Sequence, residues 1–268
     1  EVSISLYKKI LNKFNRNYTF MIGILGGMGT QAGLDFCNKL AMLNRGKIDQ
    51  EYPLFMLYNK SNIPGRPESI GVQTKSFSTI PRTAKNTIKY NKVLKSLLEG
   101  CRSLEKSGCK FIVIPCNTAH YWYDDLRKQI KIPIINMPRE VFLHTKKNCK
   151  KKSKIGLLAT EGTLKTEIYD KIFKNDYELI KPLDSLQINS VNKTIKHVKM
   201  GNIKLAEKSI KPAINYLIKQ KCKKIILGCT EIPIAIFAYQ SLKNAKISKL
   251  YLDPNLILAN SCMARYKK

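Results

Sequence analysis

The chain has 268 residues, long enough for one large or two modest domains with cores of their own. Its 48 Lys and Arg against 19 Asp and Glu leave a formal charge of +29, yet the lysines are spread through every segment, which disfavours a nucleic-acid partner and leaves a general field that attracts anions. No run approaches the roughly 20 apolar residues of a membrane span, and the eight cysteines form neither a CxxC pair nor the framework of a small secreted domain, the usage of a reduced, cytoplasmic protein.

Residues 1–20 are basic, hydroxyl-containing and nearly acid-free, and read as an N-terminal extension. Three readings stay open for it: a short added helix, an organelle-import segment, or sequence added for expression. From Met21 onward, apolar β-branched runs at 21–25, 54–58, 111–114, 133–135, 155–158, 177–180, 225–227 and about 249–251 read as strands. Between them, amphipathic stretches at about 31–45, 84–107, 121–129, 138–149, 164–173, 188–200, 203–220, 231–240 and 254–266 read as helices. This alternation predicts an α/β protein with parallel sheets. The Pro-, Gly-, Ser- and Thr-rich stretch 60–83 reads as a long functional loop.

One pattern occurs twice. Cys109-Lys110-Phe111-Ile112-Val113-Ile114-Pro115-Cys116-Asn117-Thr118 and Cys222-Lys223-Lys224-Ile225-Ile226-Leu227-Gly228-Cys229-Thr230-Glu231 are each a buried strand delivering a thiol to a strand-to-helix turn, 113 residues apart. Ile22-Gly23-Ile24-Leu25-Gly26 and Ile155-Gly156-Leu157-Leu158-Ala159 open the two halves in the same way. Duplicated halves follow: a first α/β domain over 21–131 rejoined by 241–268, and a second over 132–240. A thiol ahead of a helix feels the positive end of the macrodipole, which lowers its pKa from about 8.5. Facing thiols from two halves suit acid and base work on both sides of one carbon.

Gly27-x-Gly29-x-x-Ala32 matches the relaxed dinucleotide fingerprint, but the second strand ends in Asn59-Lys60 instead of the acidic residue that holds a ribose. The preferred reading is backbone N–H groups meeting a small anion such as an amino-acid carboxylate. Asn117, Thr118 and Thr230 can cap helices or donate to the same carboxylate. His120, four residues after Cys116, reads equally as a proton shuttle or as a packed structural histidine, and a metal site of Cys116, His120 and Cys229 lacks a fourth ligand.

On these residues, with Asp49-Gln50-Glu51-Tyr52-Pro53 and Val198-Lys199-Met200-Gly201, the chain from Met21 to about Ala264 resembles the aspartate/glutamate racemase superfamily, and within it the cofactor-independent aspartate racemases. The resemblance implies two similar domains in pseudo-twofold relation, an active site in the cleft between them, and a homodimer. It implies no pyridoxal phosphate, metal or nucleotide. Cys116 and Cys229 fall on the catalytic pair, one removing the Cα proton as thiolate while the other returns a proton to the opposite face. Met28, Gly29, Asn117, Thr118, Thr160, Thr163 and Thr230 line the substrate site, with Arg66 and Lys199 on the distal carboxylate. Arg82, in Ile80-Pro81-Arg82-Thr83, is the rival to Arg66. Gly65 and Pro67 stand where the family has Asp and Thr, and Thr30-Gln31-Ala32-Gly33 where it has Pro-Leu-Ala-Thr, so the side-chain pocket departs from the family pattern.

The implied activity is interconversion of L- and D-aspartate, with glutamate second. The alternatives within the superfamily are hydantoin racemisation, maleate isomerisation and malonate decarboxylation. The Arg/Lys pair speaks against the first and the two matched thiols against the last. A catalytically idle relative that binds an amino acid or nucleic acid is the non-enzymatic alternative, and retention of both thiols speaks against it.

Overall fold

The computed structural model describes residues 21–44, 46–70, 87–237 and 249–266. The first apolar runs form β1 (Met21–Gly26), β2 (Phe55–Asn59), β3 (Cys109–Val113) and β4 (Ile134–Ile135), a parallel sheet in the order β2-β1-β3-β4. The later runs form β5 (Lys154–Ala159), β6 (Glu178–Ile180), β7 (Lys224–Gly228) and β8 (Tyr251–Leu252), parallel again and in the matching order β6-β5-β7-β8. The fold is therefore α/β with two like sheets, and each cysteine-bearing run occupies an inner strand.

Helices cover both faces of each sheet, as buried parallel strands require. In the first half these are α1 (Thr30–Leu43), the short α2 (Arg66–Ser69), α3 (Ile88–Lys106) and α4 (Tyr123–Arg127). Leu25, Ile112 and Ile114 meet Val93, Leu97 and Leu104 of α3 on one face, while Ile22, Ile24 and Val113 meet Phe36 and Leu40 of α1 on the other. The chain then runs through α5 (Met137–Asn148), α6 (Glu161–Lys165), α7 (Asp170–Phe173), α8 (Asp184–Leu186), α9 (Lys193–Lys199), α10 (Ile203–Lys219) and α11 (Glu231–Phe237) to α12 (Pro254–Tyr266). Leu158, Ile225 and Leu227 pack on Ile210, Ile214 and Leu217 of α10, and Leu157 and Ile226 on Val141 and Phe173. The last helix, α12, crosses back to lie on α1 and α5.

The duplication extends to the packing of single residues. A Cβ on Gly23 would lie 3.1 Å from Cys109 and 3.3 Å from Leu104, and one on Gly156 would lie 2.9 Å from Leu217. Leu104 and Leu217 stand at the same distance in sequence from Cys116 and Cys229. In each half the glycine of the first strand leaves room for one leucine of the helix that precedes the cysteine-bearing strand.

The elements depart from the sequence expectation at several places. β4 bonds to β3 and stays in the first sheet, past the boundary expected at 131, and β8 bonds to β7 in the second sheet, past the one expected at 240. The helix expected over 164–173 is two pieces, because Glu167 takes a left-handed φ of 53° between α6 and α7. That over 121–129 starts as a 3-10 turn at Thr118–Trp122 before α4, and that over 188–200 starts as a π-helical turn at Gln187–Asn192 before α9. The expected loop 60–83 contains α2, whose residue Pro67 suits a first helical turn. Residues 1–20, the 71–83 part of that loop with Arg82, and the end of the helix expected at 231–240 lie outside the described residues.

Candidate active site

The C-terminal ends of parallel strands are where open α/β sheets hold ligands, and both cysteines sit there. Cys116 follows β3 and Cys229 follows β7, and both line one small cleft of about 50 Å³. Met28, Arg66, Asn117 and Thr118 join Cys116 from the first half, and Thr160, Lys199, Thr230 and Glu231 join Cys229 from the second.

The wall built by the first half depends on Gly27. Its φ of 92° and a Cβ position only 2.3 Å from the carbonyl carbon of Lys60 leave room for no side chain. The loops after β1 and β2 therefore touch, and the Arg66 guanidinium reaches across to donate from Nη2 to the Met28 carbonyl at 2.8 Å. Arg66 Nε is buried without a hydrogen-bond partner among the described residues, a donor still to be met. Gly29 caps α1 and faces Glu231, whose Oε1 would lie 3.8 Å from a Cβ built there. Asn59 at the end of β2 donates from Nδ2 to Thr30 Oγ1 at 3.2 Å.

Three threonine hydroxyls join the halves. Thr118 Oγ1 lies 2.8 Å from Thr163 Oγ1 and 3.2 Å from Thr160 Oγ1, and Thr160 N-caps α6 by accepting from the Thr163 N–H. Thr163 is buried behind this cluster and does not itself line the cleft. Asn117 does not cap the helix that follows it. The Asn117 side chain makes no capping bond and instead accepts from the Tyr169 hydroxyl at 2.6 Å, and Thr230 Oγ1 donates to Glu231 at 3.2 Å.

His120 is settled by its partners. The Met137 N–H donates to Nε2 at 3.1 Å, which leaves the proton on Nδ1 to donate to the Cys116 carbonyl at 2.9 Å. Burial lowers its pKa, so the ring is a neutral strut between the Cys116 loop and α5.

The electrostatics at Cys229 reverse the sequence expectation. Its thiol donates to Glu231 Oε2 at 3.0 Å. Burial first, and then the Glu231 carboxylate, push the thiol well above its ordinary pKa, with Lys199 as a smaller opposing charge. The α11 helix that follows has only seven residues and starts with that carboxylate, so a helix dipole cannot win here. Glu231 is the site residue that sequence reasoning passed over. An acid two positions beyond a candidate thiol, opening a helix, was the available signal. Lys199 is presented from the last turn of α9, which Gly201 closes with a φ of 78°.

The cleft thus gathers two thiols, two cations, one carboxylate, a set of hydroxyls and an amide. Chemically, it can bind carboxylates and exchange protons. The Asp/Glu/Hydantoin racemase family model matches residues 25–262. The Bacillus subtilis protein described as broad specificity amino-acid racemase RacX is 26% identical over 252 residues, covering 91% of this chain and 95% of that one. A glutamate racemase of Persephonella marina is 27% identical over 229 residues, covering 83% of this chain and 75% of that one. The structure of Picrophilus torridus aspartate racemase superposes with a TM-score of 0.73 at 25% identity, covering 92% of this chain and 94% of that one. Its relatives and structural neighbours are amino-acid racemases, and the chain belongs to the Asp/Glu/Hydantoin racemase family.

Proposed function

We propose that this protein inverts the Cα configuration of an acidic amino acid, aspartate first and glutamate second, with Cys116 and Cys229 as the two proton-transferring groups. The observation that carries this reading is the pair of thiols at matched positions of the two halves in a single small cleft. In one direction the Cys116 thiolate takes the Cα proton while Cys229, which rests as a thiol, gives its proton to the opposite face. Cys116 then holds the proton and Cys229 is the thiolate. The reverse direction exchanges the roles; to reset without reversal, Cys116 releases its proton to solvent and Glu231, whose carboxylate accepts from the Cys229 thiol at 3.0 Å, relays a solvent proton back to Cys229. Both acid and base are side chains in this scheme.

Substrate binding follows from what is left unpartnered. Asn117 and Thr118 face the α-carboxylate, while Arg66 through its free Nε and Lys199 take the distal carboxylate. Two cations in the cleft favour a dicarboxylate over a neutral amino acid. The likeness to the aspartate racemase structure supports aspartate as the first substrate, and the likeness to the broad specificity racemase supports a second reading in which several amino acids are accepted. A homodimer, drawn from the resemblance alone, completes the proposal.

The test is chiral chromatography of L-aspartate, L-glutamate and the other common amino acids after incubation with wild type, Cys116→Ala and Cys229→Ala. The proposal expects D-aspartate from the wild type and none from either variant. Full activity in either variant refutes the two-thiol assignment, and a faster reaction with neutral amino acids refutes the acidic preference.

A further inference from the structure

Asn117 directly follows Cys116 and is almost wholly buried, and the two ends of its amide are treated differently. Oδ1 accepts from the Tyr169 hydroxyl at 2.6 Å. Nδ2 is buried with no hydrogen-bond partner among the described residues. An unmet buried donor costs about 1–3 kcal/mol, so in a built site it marks a place for an acceptor that arrives later.

Tyr169 belongs to the other half of the molecule. It stands just ahead of α7, fully buried, with its ring held by Phe173 in the core beneath the second sheet. A side-chain amide can turn by half a rotation and present oxygen or nitrogen to the same spot, and an amide facing a carboxylate with its oxygen repels it. A phenol that donates fixes the oxygen end on itself and reserves the N–H₂ end. Burial and the nearby Asp253 push the Tyr169 phenol far above its ordinary value, so it stays a donor at any working pH.

We propose that Tyr169 is a positioning residue: its hydroxyl locks the Asn117 amide so that Nδ2 is presented to the substrate's α-carboxylate. The inference rests on the reading of Asn117 as a carboxylate ligand. It adds a dependence of substrate binding in the first half on a buried side chain of the second, which touches no substrate.

Tyr169→Phe keeps the packed ring and removes only the donor. The expected result is a KM for aspartate raised about 10-fold, the scale of one hydrogen bond to a charged group, with kcat changed less than KM. In an Asn117→Ala background, Tyr169→Phe should raise KM no further, since its effect passes through the amide. A structure of the wild-type enzyme with bound aspartate should place Asn117 Nδ2 on the α-carboxylate with Tyr169 still on Oδ1. If Asn117→Ala raises KM and Tyr169→Phe does not, or if Tyr169→Phe adds its full effect on top of Asn117→Ala, the role given to Tyr169 is overturned. If Asn117→Ala leaves KM unchanged, the carboxylate-ligand reading itself fails. An amide turned the other way in the bound structure overturns the inference whatever the kinetics.

Discussion

Glu231→Gln isolates the charge beside Cys229 while keeping side-chain size. In the native cleft the thiol donates to a carboxylate at 3.0 Å, and the Thr230 hydroxyl donates to the same oxygen at 3.2 Å. Hydrogen bonds to charged groups contribute about 1.5–3 kcal/mol and neutral ones about 0.5–1.5, so the exchange removes about 1–2 kcal/mol from the arrangement that holds and reloads the proton. At about 1.4 kcal/mol per tenfold in rate, kcat/KM for aspartate should fall roughly 5- to 30-fold. The fall should be equal from either enantiomer, because the equilibrium constant between enantiomers is one. The carboxylate also helps to raise the thiol pKa, after burial. In the Cys116→Ser background, thiolate absorbance near 240 nm should therefore appear at lower pH for Glu231→Gln than for Glu231. Unchanged kcat/KM together with an unmoved thiolate titration would refute the role of Glu231.

Stability should depend on pH through the buried thiols. Burial is the first cause that raises Cys229, Cys101 to about 12 and Cys222 to about 11. Below the ordinary thiol value of about 8.5 both folded and unfolded chains hold these protons. Above it only the unfolded chain releases them, and stability falls by up to about 1.4 kcal/mol per pH unit for each thiol. Melting temperatures should be level from pH 7 to 8 and drop between pH 9 and 10.5, and a level profile throughout contradicts this. Leu104→Ala and Leu217→Ala each empty a fully buried seat against a strand glycine, and each should cost about 2–5 kcal/mol in urea unfolding. A cost below about 1 kcal/mol for either would mean that the two halves are not built alike.

The strands were legible because each is a short apolar run bounded by turn residues, and the repeated Gly-bearing and Cys-bearing runs disclosed the duplication in the sequence itself. The two cysteines were legible for the same reason. What was hidden lies where one residue's conformation overrides a periodic pattern. Nothing local marks Glu167 as the left-handed break between α6 and α7, and Arg66 begins a helix inside a stretch whose Pro and Gly content reads as loop. The electrostatics of Cys229 were misread because a helix dipole acts through a terminus of fixed sign, whereas the carboxylate that opposes it depends on a side-chain rotamer. The positions of Thr163 behind the cleft and of Tyr169 against Asn117 arise from contacts across 45 and 52 residues of sequence, which no local pattern encodes.

The two-thiol scheme makes one demand that no single-base scheme shares. In deuterium oxide, with the reaction sampled while little substrate has turned over, the newly formed enantiomer of aspartate should carry deuterium at Cα while the remaining starting enantiomer keeps its protium. This is the outcome expected when Cys116 and Cys229 work on opposite faces. Deuterium entering both enantiomers at equal rates from the first samples would contradict it.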